Sequence, residues 1–371
     1  MRSISLAGTA LVAAMAAGPF ASRQPRTIVV PDTPSCPRCS LELTRIVTIG
    51  QSGDSISPDL YATVARSSAN RYFVAPIDVP GAIGVYDQRG RLTGIIGRSG
   101  QGPGEFREIS VLKMDRADSL YVYDPANSRV TVYTPELRVA RIVRVPFTGV
   151  VDFAPLPKGE IVVSAANRTA DMAGISFHIL SPDGARIRSF GTSTAPIGPR
   201  DALERRRIFA SNRGELIATA ENRYDREQWS VTGANTLVVQ RRPEWFPPRR
   251  TGATVNILAE RPVPIVTGAW EAPNGLMWAR IDVAARDWKP MWRPGEPERS
   301  ISTADHTRLI DTILEVIDPQ TGRIVASQRI DVPLKRFFGD GFTFSHREDS
   351  LGYRSIDVWA LRVAGWPNGS E

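Results

Sequence analysis

The feature that most constrains this chain is a short hairpin that recurs along it. Its clearest copy runs Ala82-Ile83-Gly84-Val85-Tyr86, turns through Asp87-Gln88-Arg89-Gly90, and returns as Arg91-Leu92-Thr93-Gly94-Ile95-Ile96-Gly97. Related copies are Ser119–Asp124 into Arg129–Tyr133, Phe177–Gly184 and Leu314–Gly322. Apolar residues alternate over short runs, and Asp and Gly supply the reversals, so each run is a strand and each reversal a tight turn. No long stretch keeps apolar residues at helical spacing.

Units that start with one strand and end at such a hairpin fall near 58–98, 107–145, 149–190, 205–246, 263–330 and 334–363. A unit of roughly 40 residues suits one blade of four short strands and far exceeds a leucine-rich repeat. The expected fold is therefore all-β, a six-bladed β-propeller with four-stranded blades, and a β-helix is the rival. Leu41 to Ile49 alternates like a strand but lacks a partner of its own. It is expected beside Ser355 to Val363, where it closes the ring and removes exposed sheet edges.

The stretch Gly97-Arg98-Ser99-Gly100-Gln101-Gly102-Pro103-Gly104-Glu105-Phe106, followed by Ser119–Asp124 and Asn127–Tyr133, resembles an NHL-type propeller repeat. The chain also resembles uncharacterised exported bacterial six-bladed propeller proteins, some with a Cys-x-x-Cys before the first blade. About sixty residues carry the resemblance closely, and the other blades follow its rhythm. In this motif Gly97, Gly100, Gly102 and Gly104 are expected to permit positive φ and close backbone approach where one blade crosses to the next, and Pro103 to stiffen the crossing. Phe106 is expected to plug the seam, Asp124 and Asn127 to bond turn backbone, and Arg129 to tie the turn to its neighbour. The glycines do not form a phosphate loop, because neither Rossmann spacing nor a Gly-Lys-Ser/Thr ending is present.

Met1-Arg2-Ser3, an apolar run from Ile4 to Ala17 and the small residues Gly18 to Ser22 have the parts of a secretory signal. The domain reading is a signal peptide over 1–21, an N-terminal segment over 22–40, the propeller over 41–366 and a tail over 367–371. Once the signal is cleaved, no later run is long and apolar enough to span a bilayer. Both cysteines sit in Cys36-Pro37-Arg38-Cys39. Ser40 stands where haem attachment needs His, and zinc lacks further ligands. A redox pair needs a helix N-terminus, whereas a strand follows. In an oxidising compartment a local disulfide is expected, pinning the first strand.

The formal charge of +7 and pI near 9.7 raise the question of nucleic acid. Only four of the 46 basic residues are lysines (Lys113, Lys158, Lys289, Lys335), and the arginines are scattered without a basic–aromatic motif, which argues against nucleic-acid binding. His178, His306 and His346 fall in different units, so the histidine-bound metal of NHL-like lyases lacks its ligands, and His178 reads as a packed residue. Propeller lactonases suggest calcium held by oxygen ligands, for which Asp115, Asn167, Asn222 and Asp282 are candidates. No Gly-x-Ser-x-Gly elbow occurs. Trp288 and Trp292, in a Pro-rich insertion, are the candidate ligand anchors, with folding over the rim as the alternative. Trp278 and Trp359 read as core, and Trp245-Phe246 as packing between blades. The functional expectation is a monomeric extracytoplasmic module binding a protein, peptide or small molecule, without a required cofactor. The alternative is a calcium-assisted lactonase, hydrolase or lyase at the central channel.

Overall fold

The computed structural model describes residues 24–50, 53–165, 174–192, 205–211, 213–247, 256–292, 306–338 and 341–366. These residues form six sheets built on antiparallel strands and arranged as the blades of a ring, with a two-stranded parallel sheet of Arg98–Ser99 and Glu105–Phe106 between the first two. Blade 1 contains Thr63–Arg66, Tyr72–Ala75, Ile83–Tyr86 and Leu92–Ile96, running from the axis outwards. Blade 2 contains Val111–Met114, Leu120–Asp124, Arg129–Tyr133 and Val139–Arg144. Blade 3 contains Val150–Pro155, Ile161–Ala165, Ile175–Leu180 and Arg186–Thr192. Blade 4 contains Arg206–Ala210, Leu216–Ala220, Asp225–Trp229 and Asn235–Gln240, and blade 5 contains Ile265–Glu271, Met277–Ala284, Ile310–Asp318 and Arg323–Ile330.

Blade 6 is assembled from both ends of the chain. Phe342–Glu348 and Arg354–Ala364 pair with each other, and β2 (Ser40–Ile49) adds outside them, with Leu41 opposite Val363 and Ile49 opposite Ile356. The ring is thus closed by an N-terminal strand. The axial edge of this blade departs from a regular strand. Among the described residues, the backbone of 334–338 pairs with the backbone of Phe342–Glu348 through Lys335 N to Phe344 O (2.7 Å) and Phe338 N to Phe342 O (2.9 Å), and the Thr343 hydroxyl donates to Lys335 O (2.8 Å). Pro333 lacks an N–H and has a fixed φ, which interrupts a ladder where this edge begins.

A further strand, β1 (Arg26–Val29), lies parallel to Asn235–Gln240 and gives blade 4 a fifth strand. The chain then passes blade 5, where Ser35 N and Oγ donate to Ile324 O at 2.8 and 3.0 Å. Cys36 and Cys39 are joined by a disulfide just before β2.

The core lies in the seams, because each blade has two faces and each must be covered by a neighbour. Phe106, fully enclosed, fills the seam between blades 1 and 2 with Ile83, Val85 and Val122. Tyr123 meets Phe153 edge-on at 6.2 Å between blades 2 and 3, and Phe177 meets Trp229 at 5.8 Å between blades 3 and 4. Trp278 and Leu314 pack with Leu41, Leu334 and Phe337 between blades 5 and 6, while Ile49, Val74, Tyr86 and Ile356 seal blade 6 to blade 1. Among the described residues no helix is long and apolar enough to cross a membrane.

Candidate functional site

Every inner strand begins at the same end of the ring, called the crossing face here, which also carries the loops joining second to third strands. Successive strands of a blade alternate in direction, so residues early in the inner strands and late in the second strands gather near this face. Blades 3 and 6 lie opposite each other in a ring of six. Asp152, on the inner strand of blade 3, lies 3.8 Å through Oδ1 from Nη1 of Arg336, on the axial edge of blade 6. Opposed blades can touch only on the axis, so this pair marks the centre of the ring.

Asp152 is aimed inwards by a register shift between Val150 and Asp152. It is 2% exposed. Its Oδ1 accepts from Phe153 N (2.9 Å) and pairs with Lys113 Nζ of blade 2 (3.3 Å), and its Oδ2 accepts from Ile208 N of blade 4 (3.4 Å). Lys113 Nζ also lies 5.2 Å from the centre of the Phe209 ring, within cation–π range. From blade 4, Arg207 Nη2 donates to Glu221 Oε1 at 3.1 Å, and Arg205 Nε lies 3.4 Å from the same oxygen. From blade 5, Arg280 donates through Nη1 to Leu334 O and through Nη2 to Thr267 O (3.2 Å), while Asp282 accepts from Thr267 Oγ1 (3.0 Å). Lys335 adds its charge beside Asp282 and Arg280.

Six cations (Lys113, Arg205, Arg207, Arg280, Lys335, Arg336) therefore share this centre with three carboxylates (Asp152, Glu221, Asp282). The imbalance shifts their proton affinities. Burial, then Arg207, Arg280 and Arg205, pulls Arg336 down to about 10 against the opposing pull of Asp152. Burial, then Arg336 and Arg207, lowers Lys113 despite its pairing with Asp152. For Asp152 burial alone would raise the carboxyl, but Lys113, Arg336 and Arg207 reverse the sign and hold it below its ordinary value. Arg207 Nε and Nη1, Arg336 Nη1 and Arg280 Nε are enclosed and have no hydrogen-bond acceptor among the described residues. A third of the Arg336 side chain stays solvent-accessible, so solvent reaches this residue at the axis.

The NHL-like motif forms the crossing from blade 1 to blade 2. Gly97, Gly100 and Gly104 adopt positive φ, whereas Gly102 does not. Gly102 instead donates its N–H to Glu105 Oε2 at 2.8 Å. Asp124 accepts from Arg107 N (3.0 Å), Glu108 N (3.3 Å) and Asn127 N (3.1 Å), and Asn127 Nδ2 reaches Gly100 O at 3.0 Å. Arg129 clamps the loop by donating to the carbonyls of Gln101, Gly102 and Glu105 at 2.7 to 2.8 Å. Pro103 lies within this clamped turn.

Trp288 is half-buried and donates Nε1 to Ile257 O at 3.2 Å, and Trp292 N donates to Leu258 O at 3.1 Å. Both stand on the loop between the second and third strands of blade 5, on the crossing face. Trp359 is part-buried against the same seam as Trp278, and its Nε1 donates to Ser345 Oγ at 2.9 Å. Phe246 is buried against Tyr224 and Val266 between blades 4 and 5, with Trp245 more exposed beside it. His178 is enclosed, stacked on Phe147 at 4.1 Å and bonded through Nδ1 to Ser189 Oγ at 2.8 Å.

The calcium candidates do not come together. Asp115 caps its own hairpin at the opposite end of blade 2, accepting from Ala117 N, Ser119 N and the Tyr121 hydroxyl. Asn222 lies in a turn of blade 4, Asp282 lies among cations, and Asn167 falls outside the described residues. Among the described residues no group of three or more His, Cys, Asp or Glu side chains is placed to hold a metal. A hard cation needs several oxygen ligands, and the guanidinium-rich axis does not fit one. The axial cations were not singled out by motif. The one signal was position, since Lys113 and Arg207 fall on predicted inner strands where apolar residues would otherwise be expected.

The ring and its axial centre define a six-bladed β-propeller. Residues 64–198 match the DUF5128 family, described as a 6-bladed beta-propeller. A candidate exported protein of Bacteroides fragilis NCTC 9343 is similar in structure, with a TM-score of 0.59 at 11% identity, covering 92% of this chain and 99% of that one. A member of the DUF4221 family from Bacteroides vulgatus is similar with a TM-score of 0.54 at 8% identity, covering 87% of this chain and 98% of that one. No curated protein matches.

Proposed function

We propose that this chain is an exported, monomeric binding module whose ligand enters the central channel from the crossing face. The observation that supports it is the contact across the ring between Arg336 and Asp152, with buried polar donors left free around it. Polar groups enclosed without partners cost free energy, and a binding site is where such a cost is offset by a ligand. Export is supported by the signal-like residues 1–21, by the local disulfide and by the likeness to a candidate exported protein. In this reading the segment Gly97–Tyr133 is an NHL-type repeat serving as scaffold, and Trp288 and Trp292 contribute to the rim of the site.

Two measurements test the proposal. Fractionation of cells making the full chain with a C-terminal tag should recover a shortened product outside the cytoplasm, and full-length cytoplasmic product would count against export. Thermal unfolding of that product across a small-molecule and peptide panel should give stabilisers whose effect changes in Arg336→Gln. Stabilisers indifferent to Arg336 would move the site off the axis.

A further inference from the structure

We infer that the axial centre is an oxyanion subsite, taking a carboxylate, phosphate or sulfate group between the guanidinium groups of Arg207 and Arg336, with the Lys113–Asp152 pair beneath it. This rests on the reading of the chain as a channel-binding module and names the chemistry of its ligand.

Three independent features converge on this assignment. The first is charge: six cations and three carboxylates share the axis, brought there by inner edges or second strands of blades 2 to 6. Like charges gathered at this range repel unless a counter-charge joins them. The second is unused donor capacity. Arg207 spends Nη2 on Glu221 but leaves Nε and Nη1 without acceptors, and Arg336 Nη1 has only the 3.8 Å ion pair with Asp152, beyond hydrogen-bond length. Nε–H of a guanidinium shares its edge with Nη2, which Arg207 has committed to Glu221, so its free Nε and Nη1 are two separate charge-assisted donors, each of which, like Nη1 of Arg336, an oxygen of an incoming acid group can accept from.

The third is the way the existing carboxylates are committed. Asp152 is bound by two backbone N–H groups from blades 3 and 4 and by Lys113, so it is fixed in place and cannot swing to satisfy Arg207. Glu221 is shared by Arg205 and Arg207. Arg280 is 5% exposed, is held by two backbone carbonyls and still has an unpartnered Nε. The internal acids orient the cations without neutralising them. An incoming oxyanion completes the set, while a neutral ligand leaves the charge imbalance in place.

Inorganic phosphate, citrate and a blocked tetraglutamate peptide are the probes, each compared with chloride at matched ionic strength. Thermal unfolding of the wild-type chain and phosphorus-31 line broadening of phosphate give two readouts. The expected result is a raised melting temperature and broadened phosphate signal, with apparent affinity at least tenfold weaker in both Arg207→Gln and Arg336→Gln. Response to phosphate and citrate alone points to a free small anion, and response to the peptide points to an acidic chain segment; either supports the subsite. If Arg207→Gln unfolds because Glu221 loses its partner, Arg207→Lys, which keeps the charge and loses the separate Nε and Nη1 donors, carries the same comparison. The inference is overturned if no probe exceeds chloride, or if both variants respond as the wild type does. A blocked neutral peptide that stabilises the wild type where no anion does would overturn the subsite while leaving the binding-module reading standing.

Discussion

The guanidinium of Arg241 donates two hydrogen bonds, Nε to Oε2 and Nη2 to Oε1 at 2.9 Å each, to the carboxylate of Glu315. Arg241 follows the outer strand of blade 4, Glu315 lies in the third strand of blade 5, and both side chains are almost fully enclosed. Arg241 Nη1 also donates to the carbonyls of Val30 and Pro31 and to Asp32, and the Tyr224 hydroxyl donates to Glu315. One ion pair thus binds two blades and the segment that follows β1. Removing the acid alone strands a buried cation, so Glu315→Ala is expected to cost about 3–5 kcal/mol in urea unfolding. The double replacement Arg241→Met with Glu315→Leu should recover part of that loss, and an equal or larger cost in the double variant would refute this account.

Gly90, at the last hairpin of blade 1, has φ of +77°, and a Cβ there would stand 2.0 Å from the Thr48 carbonyl of β2. The backbone is the obstacle, and a side chain is strained at this φ in any case. Gly90→Ala should therefore destabilise by more than about 1 kcal/mol. Ile49→Ala, a fully enclosed residue of the same seam, should cost about 2–5 kcal/mol by leaving a cavity. Chemical denaturation of both variants checks the closing strand, and two wild-type midpoints would show that closure does not depend on this contact.

His178 is held at about 4, against an ordinary 6.5, by burial and then by Arg186. The folded state resists a proton that the unfolded chain accepts, so stability is full above about 6.5 and falls as pH drops towards 4. The slope from this residue is about 1.4 kcal/mol per pH unit within that window. Urea midpoints at pH 7.5 and 5 should differ less in His178→Phe than in the wild type. An unchanged difference would mean that other groups set the acid sensitivity.

Cys36 and Cys39 close a very short loop, and the chain entropy removed from the unfolded state grows only with loop length. Cys36→Ser with Cys39→Ser should lower stability by at most about 2 kcal/mol and leave a cooperative transition. A loss of cooperativity would give the bridge a larger part in ring closure than its loop length implies.

Trp288→Ala and Trp292→Ala are expected to weaken ligands found on the crossing face while changing stability by less than about 1 kcal/mol. Unfolding well beyond that figure would make these residues part of the packing against 256–258.

The ring was legible because blades are local. Each hairpin pairs neighbours a few residues apart, and turn chemistry at Asp87, Asp183, Asp318 and their following glycines punctuates the chain. The closing strand was legible too, since Leu41 to Ile49 alternates without a partner nearby. β1 was not: four residues bounded by Pro25 and Pro31 do not signal a strand, and a parallel edge pairing has no turn to announce it. The axial cluster was hidden for a different reason. Lys113, Asp152, Arg207 and Arg336 are spread over more than half the sequence, and the scatter of charge that argued against a basic patch is what a circular arrangement collects at its centre.

Gly365 lies against the Arg38 carbonyl, so the chain leaves blade 6 beside the point where it enters it. For the polypeptide the ring has no obligatory beginning. A few flexible residues joining 366 to 40, with new ends opened at the exposed turn of Pro182 and Asp183, should give a circular permutant that keeps the six blades in the same cyclic order, with β1 and its contacts to blade 4 removed. It would move both chain ends to the opposite side of the ring while leaving the axis untouched.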